Sequence, residues 1–206
     1  MEKILAVYAK HPDIVGVGGK YSSPLHLVKI DPFHQFMYLR MRAIWGRTID
    51  TLEGKTEELG FVPAVMAGNL SVKKWVIQKV GGFDPRFPFA LEDVEFSQRI
   101  QKEGLSLYYF PLEVIHHTRP NLISFVRWSW SKGRGGKIYL NLLADEQNWK
   151  KVGSFWESYR FFKHFCNSLE ADYPWFNFDR RILPVALLFY IVEHLALRIP
   201  LLRFTK

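Results

Sequence analysis

The chain reads as an α/β protein followed by a mainly helical C-terminal region. Three observations predict this. Short apolar, β-prone runs alternate with helix-period segments over residues 1–118. Glycines stand where those segments should turn or stop. Beyond residue 119 the sequence becomes basic and aromatic, and it closes on a long apolar run. The expected divisions are therefore 1–118, 119–180 as a basic aromatic helical extension, and 181–206 as an apolar, membrane-associated helix.

Residues 2–10 have the pattern of a helix end, which "HPD" turns into "IVGVGG", a short buried strand running into glycines. Residues 31–45 carry scattered aromatics and methionines and are expected to be helical. "TIDTLEGKTEELG" is polar and reads as a surface loop. "VPAVMAGNLSV" predicts a short strand and a Gly-Asn turn, with Ser71 placed to cap the next helix, "VKKWVIQKV", which Gly81 ends. "GGFDPRFPFA" is a loop. The next helix covers 92–103: Glu92, Asp93 and Glu95 crowd its first turn, Lys102 lies in its last, and Gly104 stops it. "LSLYYFP" is a strand by alternation, and "EVIHH" continues toward a further strand or loop. "NLISFVRWSWSKGRGGKIYL" is basic, aromatic and glycine-bearing, and 145–180 are amphipathic.

Composition narrows the function classes. Of 206 residues, 48% are apolar and 23% charged, which excludes a disordered chain. The net charge of +8 is unevenly placed: residues 1–118 hold 14 Lys/Arg against 13 Asp/Glu, and 119–206 hold 14 against 7. Such a bias suits an anionic membrane surface, a nucleic acid or a phosphorylated ligand. A nucleic acid is not expected as partner, because the positive charge accompanies an apolar tail rather than a reading helix. The single cysteine, Cys166, excludes an intramolecular disulfide and fits a reducing compartment. "MEKILAVYAK" lacks the apolar core of a signal peptide.

The tail "ILPVALLFYIV", residues 182–192, is interrupted by Glu193, His194 and Arg198. A spanning helix needs about 20 apolar residues. A spanning helix, a soluble core helix and an interfacial helix all stay open, and the flanking arginines fit the interfacial form best.

Chemistry concentrates in residues 67–117. By local chemistry alone, Glu92-Asp93 is a dipole-stabilised helix start and His116-His117 a packing or surface pair. Their order with the neighbouring pieces says more. "AGN", "VKKWVIQKV", "GGFD", "PRFPFAL", "ED", "VEFSQRIQKEG", "LSLYYFP" and "EVIHH" follow one another. This set resembles the C-terminal half of the catalytic domain of family 2 glycosyltransferases, which have the GT-A fold. The N-terminal "EKILAVYAKHPDIVGVGGK" also looks like that family's segment just after its Asp-x-Asp motif, so the resemblance covers roughly residues 1–140.

The resemblance implies a partial GT-A fold lacking its N-terminal nucleotide-binding half. It implies a hexosyltransferase-type enzyme that moves a sugar, with inversion, from a nucleotide-sugar donor to a hydroxyl of a glycan or lipid-linked acceptor. The setting would be cell-surface polysaccharide or glycolipid assembly at the cytoplasmic face of the cell membrane. Asp93 would be the base and Glu92 its helper in acceptor binding. Gly68 and Asn69 would lie near sugar or acceptor. His117, or His116 in a shifted register, would help hold a divalent metal, Mn or Mg. Arg127-Trp128 match part of the Gln-x-x-Arg-Trp of processive synthases, with Ser124 in place of the Gln, and Arg134 among glycines could meet a diphosphate. No Asp-x-Asp occurs in the 206 residues. The expectation is therefore a fragment, or a protein working with a separate N-terminal half, that alone binds a nucleotide sugar weakly or not at all. The competing expectation is a non-catalytic membrane-surface or partner-binding module that keeps a glycosyltransferase remnant.

Overall fold

The computed structural model describes residues 2–22, 25–40, 60–62, 64–87, 90–115, 121–142, 156, 158–160, 162–164, 167 and 181–199. In chain order the elements are α1 (Glu2–Lys10), β1 (Gly16–Ser22), α2 (Leu25–Ile30), α3 (32–40), β2 (Gly60–Val62), a 3-10 turn (Ala67–Asn69), β3 (Leu70–Val72), α4 (Lys74–Val80), α5 (Glu92–Lys102), β4 (Leu107–Ile115), α6 (Leu122–Leu142) and α7 (Ile182–Arg198). The protein is mixed α/β. It divides into two compact units. One comprises residues 1–25, 41–85 and 92–118, and the other 26–40, 86–91 and 119–206. The polar segment 48–60 lies outside the described residues except for Gly60, and so does the end of the helix expected over 31–45.

The first unit is built on a four-stranded sheet in the order β2-β4-β1-β3. β1 and β4 run parallel, and the two outer strands pair antiparallel with them. Leu107 and Tyr109 join Val15, Val62, Val65, Val76, Phe96 and Ile100 in the core beneath α4 and α5. The alternate residues Tyr108 and Phe110 pack instead with Val7, Ile14 and Val17, on the side of α1. This is the period-2 alternation of a strand covered on both faces.

The C-terminus of α5 follows from its sequence. Gly104 takes φ +71°, Gly104 N–H donates to Gln101 O at 2.9 Å, and Leu105 N–H donates to Ile100 O at 3.3 Å. Leu105 also packs against the cluster that contains Ile100. That is a Schellman closure with its apolar contact.

Ser71 does not cap α4. It lies in β3, paired with Val17 of β1, and its carbonyl accepts the Tyr8 hydroxyl at 3.0 Å. Lys73 holds the N-cap position without a side-chain bond. Pairing with β1 satisfies the Ser71 backbone and outweighs its capping preference.

The second unit is helical. Asp31 caps α3: its Oδ2 accepts the His34 N–H at 2.9 Å, and Pro32 occupies the first helical position, where no N–H is needed. The core joins Phe36 and Leu39 of α3, Phe125 of α6, Phe162, and Ile182, Ala186, Phe189 and Tyr190 of α7. Phe36 lies at its centre, with ring centroids 5.0 Å from Phe162 and 5.1 Å from Phe189.

The stretch read as glycine-bearing and basic is one continuous helix, α6, of 21 residues. Asn121 and Ser124 start it by exchanging bonds: Ser124 N–H donates to Asn121 Oδ1 at 2.9 Å, and Asn121 N–H to Ser124 Oγ at 3.0 Å. Its glycines serve close packing. A Cβ on Gly133 would fall 2.1 Å from Glu193 O, and one on Gly135 2.4 Å from Ala90 O. α7 therefore packs directly on α6, the two running parallel. Pro184 is accommodated in the first turn of α7. Among the described residues no helix is long and apolar enough to cross a membrane.

Candidate functional site

The acidic pair opens α5 with no side-chain cap ahead of it. The residue before it, Leu91, takes a left-handed backbone, φ +66°. That conformation costs a residue with a Cβ about 1–2 kcal/mol. It turns the chain sharply into the helix.

The Asp93 carboxylate has two backbone partners. Oδ1 accepts the Val94 N–H at 2.9 Å, and Oδ2 accepts the Ala67 N–H at 3.4 Å. Ala67 is the first residue of the 3-10 turn that carries Gly68 and Asn69. "AGN" and "ED", 26 residues apart from Ala67 to Asp93, therefore meet in the fold. The contact belongs to a longer seam. Ser97, one turn on, accepts the Val65 N–H at 3.3 Å, and Gln101 donates to Val62 O at 3.4 Å. Residues 93, 97 and 101 form a polar i, i+4, i+8 stripe on α5, laid along the backbone of 62–67. The sequence carried this stripe as a spacing, but its partner is backbone, which has no sequence signature.

Glu92 differs from Asp93. Its Oε2 is buried and accepts no hydrogen bond among the described residues. A buried acceptor left unsatisfied is uncommon and costs about 1–3 kcal/mol. An orphaned carboxylate oxygen thus lies beside one that is already held.

Asn69 has a structural task. Both hydrogens of its Nδ2 are used, on Lys20 O at 2.9 Å and Leu112 O at 2.8 Å. These carbonyls flank a break in the β1–β4 ladder, where the register shifts between Gly18 and Lys20. Pro111 lies in the β4 side of that break and has no N–H to give the ladder. The Asn69 amide fills the gap. Gly19 makes room for it, since a Cβ there would lie 2.4 Å from Asn69 Nδ2. Asn69 is a positioning residue for the turn that meets Asp93, and Gly68 is exposed in that turn.

The "GGFD" loop is held from α5 by Arg99. Its guanidinium pairs with Glu95 through Nε at 2.6 Å and Nη2 at 2.8 Å. It also donates to Val80 O, at the end of α4, and to Gly82 O at 2.7 Å. Phe83 stacks on Phe96 with centroids 4.9 Å apart. The sequence reading did not single out Arg99. The i, i+4 spacing Glu95–Arg99 was its only visible sign.

His116 and His117 fall outside the described residues. Arg127, Trp128 and Arg134 belong to the second unit. Arg127 is exposed on α6. Trp128 is half-buried against Phe189 at 5.1 Å, with the Arg40 guanidinium 5.8 Å and the Lys132 ammonium 5.9 Å from its ring. Arg134 Nη1 and Lys137 Nζ each donate to Ile199 O at 2.8 Å, so both cations close the negative end of α7. Ser124, which stands where processive synthases have Gln, is engaged in the α6 cap described above.

For metal binding, no three His, Cys, Asp or Glu side chains converge among the described residues.

No family model, curated protein or solved structure matches this chain.

Proposed function

We propose that the chain is the acceptor-side half of a family 2-like glycosyltransferase, of partial GT-A fold, with Asp93 as the general base. The observation that carries the reading is the meeting of "AGN" and "ED" through the Ala67–Asp93 hydrogen bond, with the orphaned Glu92 oxygen beside it. Three features support it. Asp93 stands in the first turn of α5, where the helix dipole stabilises negative charge. Backbone N–H groups and Arg99 hold the surrounding loops. Glu92 Oε2 is a buried, unsatisfied acceptor in the same first turn of α5.

In the proposed reaction the acceptor hydroxyl oxygen attacks the anomeric carbon of a nucleotide sugar. The new C–O bond forms as the bond to the diphosphate breaks, and the hydroxyl proton passes to Asp93. Glu92 orients the acceptor through a second hydroxyl. The nucleotide-sugar donor, the glycan or lipid-linked acceptor and the cytoplasmic face of the cell membrane belong to the same proposal.

The rival reading, a non-catalytic module retaining the remnant, draws on the structural use of Asn69, Arg134 and Lys137. One experiment separates the two. The chain is expressed with the polypeptide encoded immediately upstream, and sugar transfer is assayed from a panel of nucleoside-diphosphate sugars to extracted glycolipid. Asp93→Asn should lower transfer about 10²–10⁴-fold while donor binding stays the same. Equal transfer by wild type and variant, or no transfer by wild type, overturns the proposal.

A further inference from the structure

Only part of α7 is used by the helical core. Ile182, Ala186, Phe189 and Tyr190 are buried in the aromatic cluster, and Ala196 is buried toward Gly133 of α6. On the other side lie Pro184, Ile191, Leu195 and Ile199, all exposed, with Ile191 at 37%, Leu195 at 53% and Ile199 at 44%. Their spacing of seven, four and four residues keeps them on one face.

The charges are sorted around this stripe. Glu193, the one acid of α7, is withdrawn from it and pairs with Arg40 at 3.4 Å. Arg181, just before the helix, and Arg198, in its last turn, are exposed at the two ends. The stripe is therefore apolar along its length, cationic at its ends and free of acid.

We propose that this face of α7 docks on an anionic lipid surface, the helix lying in the plane of the headgroups. Seventeen residues make about 25 Å of helix, short of the roughly 30 Å hydrocarbon thickness, so the helix lies on the bilayer rather than crossing it. Apolar side chains enter the acyl boundary while the arginines meet lipid phosphates. Charge selects this occupant over a second copy of the chain. Residues 119–206 carry 14 Lys/Arg against 7 Asp/Glu, so two copies apposed here would repel, whereas an anionic leaflet attracts. The inference does not rest on the transferase reading, because its measurement involves no sugar transfer.

The test is flotation of the full chain with phosphatidylcholine vesicles, with and without about one-third phosphatidylglycerol. The wild type should float with the anionic vesicles, bind the neutral ones at least about tenfold less, and be released as salt rises. Ile191→Glu combined with Leu195→Glu should reduce binding at least about tenfold with the thermal melt preserved. Ile123→Glu, exposed on α6, should bind like wild type. If the double variant does not fold, Arg198→Glu, at an exposed position in the last turn of α7, should still weaken binding to anionic vesicles. Three results overturn the proposal: undiminished binding by the α7 variants, binding indifferent to headgroup charge, or a concentration-dependent dimer that the double substitution dissolves.

Discussion

Asn69 shows how a residue near a candidate site can act without touching substrate. Its amide bridges Lys20 O and Leu112 O across the break that Pro111 leaves between β1 and β4. Removing it strands two carbonyls and loosens the turn that holds Ala67 against Asp93. Asn69→Ala should cost about 2 kcal/mol, read as a shift in urea midpoint. Asn69→Asp should cost at least as much, because a carboxylate cannot donate to either carbonyl. A variant as stable as wild type would mean that the bridge contributes nothing. Arg99 works similarly, since one guanidinium reaches a helix end, a loop carbonyl and Glu95 at once. Lysine lacks that planar fork. Asp93 is different: its hydrogen bonds position it, and only the transfer assay on Asp93→Asn separates a base from a helix-start acid.

Among the elements, α6 is the one whose glycines most oppose the helix expected there. Gly133, Gly135 and Gly136 within four residues would weaken an isolated helix by about 1 kcal/mol each. Contact reverses the balance, because the glycines let neighbouring backbone approach. A Cβ at Gly133 would meet Glu193 O at 2.1 Å and Ala196 Cβ at 2.7 Å, whereas at Gly136 it would meet only the end of Leu197 at 3.2 Å. Gly133→Ala should therefore destabilise by about 1–3 kcal/mol despite the gain in helix propensity, and Gly136→Ala should be near neutral. Equal thermal melts for the two variants would refute the close-packing explanation. The C-terminal ends of α4 and α5, by contrast, were legible, since Gly81 and Gly104 end them where expected with φ +82° and +71°.

At the scale of the whole molecule, each unit has its own core, and the units recruit their segments out of chain order. Residues 26–40 and 86–91 join 119–206, because α3 presents Phe36 and Leu39 to the aromatic cluster of the helical unit. That unit also contains a pH-sensitive pair. Burial pushes the Glu193 carboxyl above the usual carboxylate range, against the opposing pull of Arg40 and Lys132. An acid with a raised folded pKa binds its proton more tightly in the folded than in the unfolded chain. Its stabilising contribution is complete below the unfolded pKa and is lost as pH rises through the folded one. Glu193→Gln has no such dependence. The stability of wild type relative to Glu193→Gln should therefore fall as pH rises through and above the usual carboxylate range, from about pH 4 upward, as measured by urea unfolding. A difference that stays constant across that range would contradict the assignment.

The sequence by itself determined the local grammar: α/β alternation before residue 118, the acids at the start of α5, the Schellman glycine after it, and the positive bias of the C-terminal part. These depend on backbone conformation and charge, which each residue carries with it. It did not determine Ser71 in a strand rather than at a cap, the close packing of the α6 glycines, the recruitment of α3 into the helical core, or the use of Arg134 and Lys137 at the end of α7. Each of those was decided by a partner distant in sequence. Only the tertiary structure brings a distant carbonyl within reach of a donor, or packs a neighbouring helix against a glycine. The meeting of Ala67 with Asp93 and the unsatisfied oxygen of Glu92 belong with these, because a side chain's partners, or its lack of them, exist only once the chain has folded.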